Sequence, residues 1–284
     1  MSEFNLGRFL VNRLGFGAMR LAGPGVFGPP SDPGEAIAVL RSAVETGVDH
    51  IDTAQYYGPD VVNDLIREAL YPYGPGLAIV SKVGVRRDRG GRIILYNKPE
   101  DLRQGIADNL ASLRVEQLAA VNLRLVDDAP VDTFFDEQVA AMVRARDDGL
   151  IAGIGLSNIT VEHLRRALEV TDIVCVQNLL NPADLSSLPV LRACTSRGIA
   201  FVPFFSLGAG GRQSNAVLGD PRVTRAAERL GVTPAQIALA WALELAPNLL
   251  VIPGTASRVH LAENVAAQQV ELDEQARREL SVAP

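Results

Sequence analysis

Residues 33–58 read PGEAIAVLRSAVETGVDHIDTAQYYG, and this stretch contains one complete unit of the pattern that decides the fold. Ile37, Leu40 and Val44 recur at i, i+3 and i+7, the spacing of one helical face. Gly47 follows, where helices commonly end in a left-handed residue. A short apolar run over 48–53 then has the composition of a buried strand and ends in polar residues, His50-Ile51-Asp52-Thr53-Ala54-Gln55-Tyr56-Tyr57-Gly58. The unit is therefore helix, stop, buried strand, polar strand end.

The same unit recurs in both directions. Runs rich in Val, Ile, Leu and Phe lie near 13–19, 77–83, 119–125, 151–157, 173–178, 199–205 and 249–253, which makes eight in all. Helical spacing separates them. Val62, Leu65, Ile66 and Ala69 form one face; Leu102, Ile106, Leu110 and Leu113 a second; Phe135, Val139, Met142 and Val143 a third. Further helical stretches cover 160–170, 187–197, 222–230 and 233–246. Pro99, Pro221 and Pro234 suit first-turn positions. Thr160 and Thr233 suit N-caps. Gly149 and Gly198, like Gly47, suit C-caps. Eight such units predict an α/β fold, a (β/α)8 TIM barrel, as one domain over 1–284 with a short hairpin at 3–11 plugging the bottom. An open doubly wound sheet is disfavoured, because no GxGxxG opens the first strand–helix turn. Residues 22–34 hold four Gly and four Pro around Phe27. They follow the first strand and so overhang the top face, either as a rigid surface loop or as a wall of the substrate pocket.

Composition bounds the partners. The chain has 284 residues, 48% hydrophobic and 21% charged, with a mean hydropathy of +0.14, as a compact globule has. A globule of this size buries about 73% of its extended-chain surface without staples. A net charge of −6 with no basic stripe argues against nucleic acid. No apolar run reaches membrane-spanning length, and the first residues lack a signal-peptide pattern, so the expected compartment is the cytoplasm. Cys175 and Cys194 stand in apolar surroundings outside any metal or redox spacing, so no metal is expected.

In a barrel, the C-terminal strand ends converge on one site. Asp52 and the phenols of Tyr56 and Tyr57 arrive from the second strand and Lys82 from the third, followed by Arg124, Ser157-Asn158 and Gln177-Asn178. A phenol titrates near pH 10, and a neighbouring cation lowers that value. A carboxylate keeps a buried lysine charged and oriented. Such a phenol can protonate a carbonyl oxygen as charge develops on it, which carbonyl reduction requires once a hydride donor lies alongside.

Asp52-Thr53-Ala54-x-x-Tyr57-Gly58 followed by Ser81-Lys82 resembles the aldo-keto reductase family. The resemblance extends to Gly155-Leu156-Ser157-Asn158, Val176-Gln177-Asn178, Thr233-Pro234-Ala235-Gln236 through Trp241, and Ile252-Pro253-Gly254-Thr255 with Glu263-Asn264. It implies an NADPH-dependent reductase of aldehydes or ketones, with Asp52, Tyr57, Lys82 and Arg124 as catalytic residues. It implies that Ser157, Asn158 and Gln177 hold the nicotinamide carboxamide. Phe204 would stack on the ring where the family usually has tyrosine, Ser206, Leu207 and Gly208 would follow the pyrophosphate, and Gly17 and Met19 would approach from the other side. The cofactor would continue along Gly254, Thr255, Ser257, Arg258, Glu263 and Asn264.

Two positions depart from the family pattern. Arg124 stands where histidine is common. It either polarises the carbonyl or holds an anionic substrate oxygen, or else pairs structurally with Asp127 or Asp52. Gly254 and His260 stand where a lysine and an arginine often grip the 2′-phosphate of NADPH, leaving Thr255, Ser257, Arg258 and helix amides for that task; NADH is the alternative cofactor. Other residues read as structural: Tyr56 as packing or pocket wall, His50 as a barrel residue below Asp52, His163 as a solvated helix residue, and Trp241 as core. Many relatives have a longer C-terminal segment closing the pocket, so an open pocket set by residues 22–34 is expected. The Asn-Leu-Arg strand end resembles a bacterial branch with pyridoxal reductases, which makes pyridoxal the candidate substrate and a monomer the expected state. Two other readings of the same fold are a non-catalytic NADPH-sensing subunit and a Schiff-base aldolase using Lys82; the second needs an uncharged lysine, which Asp52 opposes.

Overall fold

The computed structural model describes residues 2–208 and 216–280. It opens on an antiparallel hairpin, β1 (Glu3–Leu6) and β2 (Phe9–Asn12). Leu6 and Val11 are buried against Ala78, Ala120, Cys175, Ala200 and Leu250, so the hairpin closes the bottom of a barrel as its apolar residues predict.

The barrel follows as β3 (Phe16–Gly17), α1 (Pro33–Glu45), β4 (His50–Asp52), α2 (Val61–Leu70), β5 (Ala78–Arg87), β6 (Ile93–Tyr96) and α3 (Pro99–Leu113). It continues as β7 (Ala120–Arg124), α4 (Thr133–Asp147), β8 (Ile154–Ser157), α5 (Val161–Leu168), β9 (Cys175–Leu179), α6 (Leu188–Thr195) and β10 (Ala200–Phe204). It ends with α7 (Pro221–Leu230), α8 (Pro234–Leu245), α9 (Arg258–Ala266) and α10 (Glu274–Glu279). The parallel order is β3-β4-β5-β7-β8-β9-β10. Residues 249–251 close the ring, bridging Leu249 to Phe201 and Val251 to Leu14. Gly15 N donates to Val251 O at 2.9 Å, and Leu250 N donates to Phe201 O at 2.9 Å. This eighth stave makes single bridges at Leu249 and Val251, and its contact with the first stave runs on to Pro253, whose carbonyl accepts from Gly17 N at 3.3 Å.

Local signals act where the sequence places them. Pro99, Pro221 and Pro234 are each the first residue of a helix. Thr160 and Thr233 cap α5 and α8 through His163 N and Gln236 N. His163 is a correction: it is buried, not solvated, with Thr160 Oγ1 2.8 Å from its Nδ1 and its ring edge-on to Phe135. The short helical turn Ala18–Leu21, rather than a strand, carries Met19. Trp241 is core, and its Nε1 donates to Leu280 O at 2.9 Å.

Strand β5 runs ten residues, beyond the predicted 77–83. At Gly84 the chain takes φ +113°, and a Cβ there would lie 2.3 Å from Arg124 O. Only glycine allows β5 to leave the barrel wall at that point. Beyond the bend it pairs antiparallel with β6, from Gly84↔Tyr96 to Arg87↔Ile93. This hairpin stands over the barrel mouth.

Candidate active site

Register decides which side chains share the barrel interior. Gly17 pairs with Asp52, Lys82 with Asn122, Arg124 with Ser157, and Ser157 with Gln177. In a parallel ladder paired residues point to one face, so these side chains converge at the upper end of the barrel.

Asp52 and Lys82 form a buried ion pair, with Lys82 Nζ 2.6 Å from Asp52 Oδ2. Lys82 Nζ also donates to Thr53 O at 3.0 Å, and Gln177 Nε2 donates to Asp52 Oδ1 at 2.8 Å. Both carboxylate oxygens are thus engaged. Tyr57 sits in the turn between β4 and α2: its N–H donates to Ala54 O at 3.0 Å, and its carbonyl accepts from Val62 N at 3.2 Å. Gly58 completes that turn at φ +91°, where a Cβ would come within 2.6 Å of Val61 Cβ. The Lys82 ammonium lies over the Tyr57 ring, 5.1 Å from its centroid. Among the described residues the Tyr57 hydroxyl accepts no hydrogen bond from it.

Burial holds the Tyr57 phenol well above the usual tyrosine range, and the Asp52 carboxylate pushes the same way. Arg124 and Arg87 oppose this from the cavity. From the sequence, that lowering is expected of Lys82. The structure assigns it to the two guanidinium groups, because the ammonium is spent on Asp52 and on the face of the ring. Tyr56, edge-on to Tyr57 with centroids 5.2 Å apart, is likewise raised by burial.

These residues line a cavity of about 460 Å³ at the barrel mouth. Asp52, Tyr57, Lys82, Arg124, Ser157 and Gln177 border it. So do Gly17, Met19, Phe204, Ser206, Leu207, Gly208 and Gly254. Arg124 has neither an ion pair nor a hydrogen bond among the described residues. The Oδ1 of Asp127, its candidate structural partner, instead accepts from Asn158 Nδ2 at 2.9 Å.

The remaining predicted residues stand apart from the cavity. Asn158 is left-handed at φ +61° and donates to Leu125 O as well as Asp127, which turns its amide toward the loop after β7. Thr255 Oγ1 accepts from Ser257 N at 3.1 Å, and Ser257 caps α9. Arg258 pairs with Glu35. Asn264 is buried on α9, with Glu263 beside it.

Several cavity residues escaped the sequence reading. Arg87 and Ile93 come from the unforeseen hairpin, and Arg20, Phe205 and Leu218 also border the cavity. The signal for the hairpin was present: Val83 and Val85 alternate before Asp88-Arg89-Gly90-Gly91, and Ile93-Ile94-Leu95-Tyr96 follows. Of residues 22–34, Val26 lines the cavity. That loop is tied to the turn carrying Tyr57, with Gly58 N donating to Val26 O at 3.3 Å and Gly28 N to Gly58 O at 3.2 Å.

The cavity border offers groups that an extended dinucleotide would use. A Cβ on Gly254 would lie 2.3 Å from Gly17 O, and one on Gly17 would lie 2.4 Å from Ile252 O. Two backbones therefore pack directly against each other at the cavity border, with no side chain between them. Phe204 offers an aromatic face, and the turn Phe205–Gly208 offers backbone groups.

The sequence profile of the Aldo/keto reductase family matches residues 13–281. The chain is 44% identical over 277 residues to pyridoxine 4-dehydrogenase of Escherichia coli, covering 96% of this chain and 95% of that protein. A solved thermostable aldo-keto reductase, bound to the inhibitor epalrestat, superposes with a TM-score of 0.81 at 27% identity, covering 99% of this chain and 98% of that one. An aldo-keto reductase of Klebsiella pneumoniae in complex with NADPH superposes with a TM-score of 0.82 at 22% identity, covering 98% of this chain and 93% of that one. The likeness runs through the whole barrel rather than through one motif, and it places the chain in the Aldo/keto reductase family of NAD(P)H-dependent oxidoreductases.

Proposed function

We propose that this reductase converts pyridoxal to pyridoxine, with NADPH as hydride donor, Tyr57 as proton donor and Arg124 holding the phenolic oxygen beside the aldehyde. The observation that carries the reading is Arg124 itself. It is a partly buried guanidinium in the cavity beside Tyr57, with no acid paired to it among the described residues. Such a group favours an anionic oxygen on the substrate, which a charge-assisted hydrogen bond would hold. The E. coli relative, named for dehydrogenation of pyridoxine at the 4 position, supports the same choice from the reverse direction.

NADPH, when bound, supplies the hydride to the carbonyl carbon. Tyr57 gives its hydroxyl proton to the carbonyl oxygen, and burial keeps that phenol protonated until needed. Lys82 supplies fixed positive charge behind the ring, and Asp52 holds the ammonium in place with Gln177 bracing the second oxygen. Ser157 and Gln177 take the nicotinamide carboxamide. Asn158 acts as their brace, its backbone N–H donating to Gln177 O at 3.0 Å while its side chain is anchored on Leu125 and Asp127. Gly17, Met19, Phe204, Ser206, Leu207, Gly208 and Gly254, which border the cavity, would hold the nicotinamide and pyrophosphate, and Thr255, Ser257, Arg258, Glu263 and Asn264 would hold the adenosine half. The assembled donor, cation and carboxylate support turnover rather than cofactor sensing alone. The enzyme acts as a monomer in the cytoplasm, and the two buried free thiols, Cys175 and Cys194, suit a reducing compartment.

The test compares kcat/KM for pyridoxal with that for pyridine-4-carbaldehyde, which lacks the phenolic oxygen. Arg124→Ala is expected to cut the preference for pyridoxal by about 10- to 100-fold, as loss of a charged hydrogen bond does. An unchanged ratio would remove Arg124 from substrate recognition and pyridoxal from first place.

A further inference from the structure

The cavity-bordering segment Ile252–Gly254 runs on through Thr255 and Ser257 into the N-terminus of α9. Another part of the chain already sits at that N-terminus. Glu35, in the first turn of α1, places its carboxylate against Arg258, 223 residues away. Oε1 accepts from Arg258 Nε at 3.2 Å and from the Arg258 backbone N–H at 3.3 Å, and Oε2 lies 3.1 Å from Nη2. The Arg258 guanidinium holds the Glu35 carboxyl below the usual glutamate range, so it is anionic at neutral pH. Asp32, the N-cap of α1, adds a second negative charge close by. The cation and the helix amide that an anionic ligand would use are therefore engaged by a carboxylate of this chain.

We propose that Glu35 is a tethered anion that contests the position of the cofactor's 2′-phosphate, and so sets the balance between NADPH and NADH. The inference rests on the reading above that the adenosine half follows residues 254–264. NADPH then has to displace the carboxylate from Arg258, whereas NADH, which has a 2′-hydroxyl, leaves the pair intact. A phosphate carries more charge and more acceptor oxygens than a carboxylate, so it wins the exchange. The pair is exposed, and exposed pairs yield readily. The effect is thus a graded penalty on NADPH and not a block.

Cofactor binding, read by titration calorimetry with NADPH, NADH and 2′,5′-ADP, tests this without turnover. Glu35→Gln is expected to tighten NADPH and 2′,5′-ADP by about three- to tenfold and leave NADH within about twofold, the size of an exposed charge effect. The gain should shrink as salt rises, and it should vanish in the Arg258→Ala background. If Glu35→Gln weakens NADPH, Glu35 orients Arg258 for the phosphate and the proposal is overturned; an unchanged NADPH to NADH ratio overturns it as well. Arg258→Ala separates the two levels. If it lowers NADPH affinity while Glu35→Gln changes nothing, only the competition fails. If it leaves the ratio unchanged, the phosphate lies elsewhere, and the groove assignment falls together with the proposal.

Discussion

Tyr57 faces two guanidinium groups across the cavity and an ion pair behind its ring, yet burial dominates its titration and keeps it a neutral phenol. The proposed proton donor is thus protonated throughout the neutral range. The rate of carbonyl reduction is expected to stay flat through neutrality and to fall only above about pH 10, where an ordinary phenol already ionises. Because Arg124 pulls the value down, Arg124→Ala should move the alkaline fall to still higher pH. A kcat–pH profile followed by NADPH absorbance checks both, and an alkaline fall between about pH 7 and 8 would contradict them. Tyr57→Phe should lower kcat by about 10²- to 10⁴-fold, the usual worth of a positioned acid, with NADPH affinity unchanged. An acid, a phenol and a lysine were legible from the strand ends, which meet in a barrel, and the resemblance to the family motif singled out Tyr57 from Tyr56. The working cations Arg87 and Arg124 were harder: Arg87 belongs to an unforeseen element, and the freedom of Arg124 depends on Asp127 being taken by Asn158.

At the scale of the element, β5 does two jobs. Its first half is a barrel stave carrying Lys82, and its second half is a hairpin arm carrying Arg87. Gly84 joins them in a conformation that a side chain resists, with the Arg124 carbonyl 2.3 Å from any added Cβ. Gly84→Ala is therefore expected to displace β7 or unbend the arm. It should destabilise by about 1–3 kcal/mol in urea unfolding and lower kcat/KM for the aldehyde more than it lowers NADPH affinity. A variant with native stability and native kcat/KM would show that the bend tolerates a side chain. The run over 77–83 was legible as a buried strand; its continuation was missed because the adjacent Arg86 and Arg87 end the apolar run and the outer half takes its partner from the very next segment. His163 was misread for a similar reason: its polar neighbours in sequence suggested solvent, whereas the ring packs on Phe135 of α4.

The whole molecule depends on closing the ring between its first and last staves. Arg13 spans that joint: Nε donates to Leu249 O at 3.0 Å, and Nη2 donates to Leu243 O at 2.6 Å and Ala246 O at 2.5 Å. The guanidinium thus takes up carbonyls at the end of α8 and at the start of the last stave, where helical partners run out. Burial lowers the arginine from its ordinary value, though it remains charged at neutral pH. Arg13→Met should cost about 2–4 kcal/mol of stability, since it strips charged hydrogen bonds from partly buried carbonyls. A loss below about 0.5 kcal/mol in urea unfolding would show that the ladder bonds close the barrel unaided.

Sequence alone determined the eight alternating units, the caps that start and stop them, the hairpin beneath, and the order in which Asp52, Tyr57, Lys82, Arg124, Ser157 and Gln177 reach the barrel mouth. Those features are local or periodic: helical and strand spacings are written within a few residues, and the parallel order follows from them. Tertiary structure alone decided which partner each charged or polar group takes. Lys82 meets Asp52 across 30 residues, Gln177 meets Asp52 across 125, and Glu35 meets Arg258 across 223. Electrostatic and hydrogen-bonding choices of this kind depend on distances of a few tenths of an ångström between segments far apart in the chain, and no spacing within a segment encodes them.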